Sequence, residues 1–233
     1  MSYISTKARI GKNVFFEGEY RVYGATELGD ECFIGHSVVL GHPVRANLLE
    51  GVKHLDKRNF DSISEGCRIG SQCIIRSESV IYERAKLSDK VETGHSVLIR
   101  EDVEIGEGSR IGTRSILDGG VKVGKKVNIQ SGVYLPPGSV VLDGVFIGPF
   151  VVVTNDLYPP SPKVLGVKIY EEATIGAGSI LIAGVSIGRG AVVGAGSIVT
   201  KDIPENGFAL GTPAKIVGTR ETYEAKKEKY LKG

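Results

Sequence analysis

The chain has 233 residues, of which 24% are charged, and its 29 Lys and Arg against 27 Asp and Glu leave a net charge of +2. Glycine occurs 32 times, Val 27 times and Ile 22 times, and Trp is absent. This nearly neutral, apolar composition excludes a disordered chain, the short apolar runs exclude a membrane-spanning helix, and the lack of a Gly-X-Y triplet excludes collagen.

From the start of the chain, an apolar residue recurs at every sixth position. The pattern runs from Ile4 to Leu40, from Ile69 to Val153 and from Ile169 to Val199, and Thr93 is the one polar residue at these first positions. The fifth position of nearly every hexad is small or β-branched. A period of six fits no helix, and one apolar residue in six is too sparse for an ordinary alternating strand.

The 28 hexads therefore predict an all-β fold, a prism of short parallel strands with three hexads in each coil and about nine coils. The first and fifth positions point inward and stack on their equivalents in the neighbouring coils, while glycine near the corners adopts turn conformations at low steric cost. We expect this prism over residues 1–204, followed by a C-terminal extension over residues 205–233 that contains a short helix.

Two segments interrupt the repeat, at residues 43–66 and at residues 159–168. The second segment has three prolines among its first four positions. Both are predicted to be surface loops, and loops often carry function. The lysine-rich C-terminal tail is expected to cover the open edge of the last coil, with assistance to a phosphorylated cofactor as the alternative.

Five stretches carry a family resemblance, and they are TGHSVLIRE (93–101), VNIQSGVYLP (127–136), VFIGPFVVVTNDLYPP (145–160), ATIGAGSILIAGVSIGRGAVVGAGSIVTKDIP (173–204) and GTPAKIVG (211–218). In these stretches the sequence resembles the hexapeptide-repeat acyltransferases, most closely their sugar-nucleotide N-acetyltransferase branch. The resemblance implies a left-handed parallel β-helix, acetyl-CoA as co-substrate, and a homotrimer with each active site in a cleft between neighbouring subunits.

The resemblance also implies that acyl-CoA lies in a groove parallel to the helix axis, with its adenine and phosphates near the C-terminal coils. The repeated GAGS tetrapeptide leaves the backbone accessible to the pantetheine amides, two lysines meet the phosphates, and a Thr-Pro step forms a sharp or cis turn at the adenine end. The candidate cofactor contacts are Ala177, Gly178, Ala195, Lys201, Thr212, Pro213 and Lys215.

The pantetheine arm is three to four coils long, and counting back along the chain places the thiol near residues 120–135. The amide of Asn128 or Gln130 would then stabilise the developing oxyanion. A ladder of outward polar side chains is the alternative interpretation of these amides. Further candidate substrate contacts are Tyr134, Arg100, Glu101, Asn155 and Asp156.

His95 is the candidate general base, because imidazole titrates near neutral pH and a sugar amine is often protonated there. It follows the unusual Thr93 and precedes Arg100 and Glu101. The coil count puts His95 about two coils N-terminal of the thiol, so substrate binding without proton transfer remains an open role.

Together, the candidate cofactor, catalytic and substrate residues favour transfer of an acetyl group from acetyl-CoA to an amino group of a nucleotide-linked sugar. One alternative is O-acetylation of a sugar or another small acceptor. A second is a zinc-dependent protein like the γ-class carbonic anhydrases, although His36 and His42 are six residues apart where that site needs five. We expect no metal, no nucleic-acid partner because a basic stripe is missing, no membrane, and a cytoplasmic location because the N-terminus lacks an apolar signal segment.

Overall fold

A computed structural model describes residues 2–51 and 60–232 of the chain. Each hexad forms a short strand that ends at or just after the apolar first position, and successive strands alternate among three parallel sheets. Strands 18 residues apart along an uninterrupted stretch pair with each other, as Ile105 does with Val123. The predicted all-β parallel β-helix is therefore confirmed.

Sheets A, B and C contain ten, nine and eleven strands within the described residues, so the coils are slightly more numerous than the nine predicted. Sheet A consists of β1 (Tyr3–Ile4), β4 (Tyr20–Val22), β7 (Val38–His42), β10 (Val80–Tyr82), β13 (Leu98–Ile99), β16 (Ile116–Leu117), β19 (Tyr134–Leu135), β22 (Val152–Val153), β25 (Ile180–Leu181) and β28 (Ile198–Val199). Sheet B consists of β2 (Arg9–Ile10), β5 (Glu27–Leu28), β8 (Arg68–Ile69), β11 (Lys86–Leu87), β14 (Glu104–Ile105), β17 (Lys122–Val123), β20 (Val140–Val141), β23 (Lys168–Ile169) and β26 (Ser186–Ile187).

Sheet C continues beyond the last hexad and accounts for the larger number of coils. It consists of β3 (Phe15–Phe16), β6 (Phe33–Ile34), β9 (Ile74–Ile75), β12 (Glu92–Thr93), β15 (Arg110–Ile111), β18 (Asn128–Ile129), β21 (Phe146–Ile147), β24 (Thr174–Ile175), β27 (Val192–Val193), β29 (Gly207–Gly211) and β30 (Ala214–Thr219). Strand β29 is parallel to β27, and β30 folds back antiparallel onto β29. The sheet edge that the sequence assigns to the helical tail is thus occupied by β30.

The C-terminal helix α2 (Arg220–Lys232) follows β30 and confirms the predicted short helix. Helix α2 buries no side chain and contacts β29 and β30. Its first residue, Arg220, donates to the carbonyl oxygen of Glu172 at 3.1 Å and to Oγ1 of Thr174 at 3.2 Å, which fixes the helix start on sheet C. No helix within residues 2–51 and 60–232 combines the length and apolarity needed to cross a membrane.

The prism interior follows the predicted positions of the hexad. From Val22 onward its first-position side chains form continuous buried columns, and the fifth-position serines are buried beside them. Ser109 shows how such a hydroxyl is satisfied, because its Oγ accepts from the backbone N–H of Val127 at 3.0 Å and donates to the carbonyl oxygen of Gly124 at 2.8 Å. Thr93 is fully buried, and its Oγ1 accepts from the N–H of Arg76 at 3.1 Å.

The first interruption contains helix α1 (Arg45–Gly51) and a 3₁₀ helix (Phe60–Ile63), while residues 52–59 lie outside the described part. The fully buried Glu83 holds its two ends. Oε1 of Glu83 accepts from the N–H of Val44 at 2.9 Å and from Nδ2 of Asn47 at 2.8 Å, and Oε2 accepts from the N–H of Glu65 at 2.7 Å. This carboxylate attaches the interruption to the prism.

We predict that Glu83→Gln lowers the free energy of unfolding by about 2–3 kcal/mol, because the new amide points donor hydrogens at groups that are themselves donors. Chemical denaturation followed by circular dichroism measures this change. Glu107→Gln is the matched control, since Glu107 occupies the same third position of its hexad but is exposed. Equal stability of the two variants would contradict an anchoring role for Glu83.

Candidate functional site

The turns between sheets form three columns along the prism, and two of them hold the candidate site residues. We call the turns that join sheet C to sheet A the C–A corner, and those that join sheet A to sheet B the A–B corner. Residues 18 apart along an uninterrupted stretch occupy equivalent turns, so each corner is a row of side chains spaced by about 4.8 Å. Sheet A separates the two corners.

The C–A corner collects most of the predicted cofactor residues and two of the predicted catalytic ones. It runs from the N-terminal to the C-terminal coils through His95, Gln130, Ala177, Gly178 and Ala195. Thr212 and Pro213, in the turn between β29 and β30, continue this row. At its C-terminal end the Thr212–Pro213 peptide bond is cis, as the sequence allows. Oγ1 of Thr212 lies 3.5 Å from the carbonyl oxygen of Gly196.

From Ala177 to Gly196 the C–A corner carries only small residues. Added Cβ atoms at Gly178 and Gly196 would meet nothing within 4 Å. The backbone N–H groups of Ala177 and Ala195 have no hydrogen-bond acceptor within the described residues. This stretch, which we call the small-residue track, therefore presents free main-chain donors along the prism axis.

Two grooves lie at the N-terminal half of the same corner. One has a volume of about 410 Å³ and is lined by Ser77, Glu78, His95, Ser96, Thr113, Arg114, Ser131, Gly132 and Phe150. We call this the polar groove. The other, of about 250 Å³, lies beside it on sheet C and contains Asn128 and Gln130 together with Arg76, Glu92 and Arg110.

The predicted amides form a pair in the second groove. Nε2 of Gln130 donates to Oδ1 of Asn128 at 2.8 Å, which fixes the Asn128 amide. Within the described residues, Nδ2 of Asn128 has no acceptor, so its N–H groups are available to a ligand. Of the two amides, Asn128 therefore presents the donor and Gln130 orients it.

His95 is exposed and lines the polar groove. Its backbone N–H donates to Oγ1 of Thr113 at 3.2 Å, whereas no described side chain hydrogen-bonds the imidazole. The turn of His95 lies two coils from that of Gln130, a separation of about 10 Å. The structure thus places His95 beyond direct contact with a group held at Gln130.

The other predicted substrate residues lie at the A–B corner. The guanidinium of Arg100 binds both carboxylate oxygens of Glu101 at 2.8 Å and Oδ1 of Asp118 at 3.2 Å. The hydroxyl of Tyr134 donates to Oδ2 of Asp118 at 3.2 Å. These four residues form one connected network at the edge of sheet A.

The network shifts the pKa values of its members in opposite directions. Burial raises the pKa of Tyr134, and the charge and hydrogen bond of Asp118 raise it further, so Tyr134 stays a neutral donor. Desolvation opposes ionisation of Glu101, but the hydrogen bonds and charge of Arg100 outweigh it and lower the pKa of that carboxyl. Neither residue is a base near neutral pH.

The residues that lead into the second interruption lie at the same corner. Nδ2 of Asn155 donates to the carbonyl oxygen of Pro137 at 3.3 Å. Asp156 accepts from the N–H groups of Tyr158 and Ser161 at 3.0 and 2.7 Å and from Oγ of Ser161 at 2.9 Å. Desolvation raises the pKa of Asp156 but these hydrogen bonds lower it by more, so the net pKa is lowered. Asp156 therefore shapes the loop in this structure.

The two predicted phosphate-binding lysines are not on one corner. Lys201 follows β28 at the A–B corner, and Lys215 lies on β30; both are exposed. Within one chain the sites predicted from the sequence are thus divided between two edges of sheet A. Residues 2–51 and 60–232 hold no group of three or more His, Cys, Asp or Glu that would suit a metal ion.

Sequence reasoning missed four residues that border these sites, namely Thr113, Arg114, Asp118 and Phe150. A signal for Asp118 was available, because it lies 18 residues after Arg100 and so occupies the equivalent turn of the next coil. The same spacing relates Thr113 to His95. Arg114 and Phe150 each stand at a fourth hexad position, which every coil fills with a turn residue.

Comparison with known protein families supports the hexad repeat found in the sequence. The family model described as the hexapeptide repeat of succinyl-transferase matches residues 102–136 and 166–201. No curated protein matches this chain. The family match confirms the repeat and the predicted resemblance to the hexapeptide-repeat acyltransferases.

Solved structures with similar chains include three proteins from bacteria. A hexapeptide transferase family protein from Anaplasma phagocytophilum has 21% identity, with 60% of this chain and 89% of that chain covered and a TM-score of 0.46. A hexapeptide-repeat acetyltransferase from Vibrio cholerae, complexed with acetyl-CoA, has 24% identity, coverage of 48% and 71% and a TM-score of 0.40. The N-acyltransferase AntD from Bacillus cereus, in complex with dTDP and coenzyme A, has 21% identity, coverage of 70% and 90% and a TM-score of 0.35.

We predict that Asp118→Asn lowers the pKa of Tyr134, because the negative charge that disfavours the phenolate is removed. Nuclear magnetic resonance titration of protein labelled with ¹³C-tyrosine measures the change. Tyr158, which is 85% exposed, is the internal reference for the spectra. An unchanged pKa of Tyr134 would show that Asp118 does not govern its ionisation.

Proposed function

We propose that this hexapeptide-repeat protein is a coenzyme A-dependent acyltransferase that moves an acetyl group from acetyl-CoA to an amino group of a nucleotide-linked sugar. The observation that carries the proposal is the order of features along the C–A corner. The small-residue track, with its free backbone donors, leads directly to the grooves that contain the Asn128 amide and the polar acceptor residues.

The track suits the pantetheine arm in length and in chemistry. From the turn of Thr212 to the turn of Gln130 the corner spans four coil steps, or about 19 Å. Pantetheine carries two amides whose carbonyl oxygens need donors, and the N–H groups of Ala177 and Ala195 are such donors. Glycine is required at Gly148, because a Cβ there would lie 2.6 Å from the nitrogen of Ala177.

The reaction then takes place beside Asn128. The acceptor amine attacks the thioester carbon, the C–N bond forms, the C–S bond breaks, and the amine proton is taken up by the departing thiolate or by solvent. Nδ2 of Asn128 donates to the oxyanion that develops on the thioester oxygen. His95, about two coils away, binds the nucleotide part of the acceptor in this arrangement.

The outer face of sheet A supports assembly of this chain with further copies. From Val39 onward its outward residues are Val39, Val80, Leu98, Ile116, Tyr134, Val152, Ile180 and Ile198. The outward residues of sheet B are mostly charged, among them Arg68, Lys86, Glu104 and Lys122. A continuous apolar face on one side of a rod is typical of a subunit interface.

A homotrimer packed through sheet A would unite the divided site. The C–A corner of each subunit then meets the A–B corner of its neighbour around the threefold axis. Arg100, Glu101 and Tyr134 of one subunit face the grooves of the next, beside Asn155 and Asp156, which precede the second interruption. Lys201 reaches the phosphate end of the neighbouring track, while Lys215 serves the same end from its own subunit.

We predict that Asn128→Ala lowers kcat about 100-fold with little change in the KM for acetyl-CoA, because it removes an oxyanion donor. Thiol release is measured with acetyl-CoA and a panel of nucleotide-linked amino sugars. Gln72→Ala, an exposed glutamine on another corner, is the control and keeps full activity. The panel includes sugars with hydroxyl acceptors only, and absence of turnover on every amine would refute N-acetyl transfer.

We predict that Ile116→Lys converts the trimer to monomers with less than about a tenth of the activity, because it buries a charge in the apolar interface. Sedimentation velocity measures the assembly. We expect Arg100→Ala to be as weakly active as Asn128→Ala, and mixing the two kinds of refolded subunit restores activity at about a quarter of the sites if the two corners act across an interface. Failure of the mixture to recover activity, with mixed trimers present, would place the whole site within one chain.

A further inference from the structure

Phe150 stands out from every equivalent residue of the prism. Most fourth-position residues of the hexads adopt left-handed backbone angles, and Phe150 does so with a φ of 58°. All other non-glycine residues with positive φ in the described part of the chain are polar or charged. A bulky side chain in this conformation is strained, and the Phe150 side chain regains little by burial within its own subunit, where it is 69% exposed.

The position of the Phe150 ring suggests a function for which a strained backbone is retained. The ring lies against Gly132, where an added Cβ would come within 2.6 Å of Cδ1 of Phe150. It therefore forms the apolar end wall of the polar groove, whose other walls are Glu78, His95, Thr113 and Ser131. On its opposite side begins the small-residue track. The ring thus stands where the proposed thiol end meets the proposed acceptor.

Arg114 provides an unpaired cation in the same groove. Its guanidinium is exposed and has no carboxylate partner within the described residues, whereas Arg84, Arg100 and Arg110 each bind one or more. The turn of Arg114 lies two coils from that of Phe150, or about 10 Å. The carboxylate of the groove, Glu78, accepts from Oγ of Ser96 and lies two further coils away.

We propose that Phe150 and Arg114 form an acceptor clamp, in which the Phe150 ring packs against the apolar face of the sugar ring and Arg114 binds the diphosphate. This inference rests on the proposed function and extends it. A hexose presents a face of C–H groups that packs well on an aromatic ring, and a guanidinium matches phosphate oxygens in charge and geometry. Phe150 contacts the sugar and not the nucleobase, because the amine-bearing ring is the part that must reach the thioester.

The test compares ligands that differ only in the sugar. Isothermal titration calorimetry measures the binding of UDP, dTDP, UDP-glucose and dTDP-glucose, and of coenzyme A, to the full-length protein and its variants. Wild type binds the glucose conjugates more tightly than the free nucleotides. Phe150→Asn weakens the conjugates about fivefold or more and removes that difference, while Arg114→Gln weakens nucleotides and conjugates alike by about tenfold.

Two controls separate this role from a structural one. Lys126 is an exposed cation on another corner, and its backbone has the same left-handed conformation. We expect Lys126→Gln to leave every affinity unchanged. Asparagine tolerates left-handed angles, so Phe150→Asn raises the melting temperature by about 2 °C at equal protein concentration while it weakens the conjugates. A ring that served packing alone would lower the melting temperature when removed.

Four results would overturn the clamp. Unchanged sugar selectivity in Phe150→Asn removes the role of the ring, and new transfer from longer acyl-CoA substrates by that variant assigns the ring to the acyl group instead. Binding of coenzyme A by a wild type that binds none of the four nucleotides refutes both the clamp and the nucleotide-sugar part of the proposed function. Wild type that acetylates amino-sugar nucleotides, with both variants equally active, refutes the clamp alone.

Discussion

Backbone hydrogen bonds between successive coils determine every other feature of this protein. They run parallel to the axis, as from the N–H of Glu104 to the carbonyl oxygen of Val121 at 3.0 Å and from the N–H of Lys122 to that of Ser139 at 3.1 Å. Because each bond joins residues about one coil apart, side chains become aligned in columns. Interior columns must be apolar or small, and outward columns on the faces and corners are free to vary. Function therefore lies in the outward columns.

The two interruptions show how firmly this alignment is held. Val80 pairs with Val39 across the whole first interruption, and Val140 pairs with Lys168 across the second. Polar contacts anchor the first interruption to the prism. Besides the contacts of Glu83, the carboxylate of Asp61 accepts from the N–H of Gly24 at 2.7 Å and from Oγ of Ser5 at 2.8 Å. After each interruption the chain resumes the same strand pairing, so the side-chain columns on either side of the interruption stay in register.

The sequence is sufficient to predict the hexads, the inward positions and the parallel β-helix, because each is a local property of a six-residue unit. It does not reveal the strand at residues 207–211, since Gly207 to Gly211 pair with sheet C without the hexad pattern. Nor does the period of six assign residues to corners. That assignment follows from the period of 18, which places Arg100 beside Asp118 and His95 beside Thr113 but leaves these two pairs on opposite edges of sheet A.

Corner residues differ in what the fold requires of them, and that difference identifies functional positions. The fourth position needs only a residue that accepts left-handed angles, so Gly, Asn and exposed polar side chains satisfy it. Arg84 also serves the fold there, because it bridges Glu65 and Asp102. Within its own subunit, Phe150 meets no such requirement and violates the local preference without burial in return. Local conflicts of this kind concentrate where a site must be formed, and this one stands at the junction between the small-residue track and the polar groove.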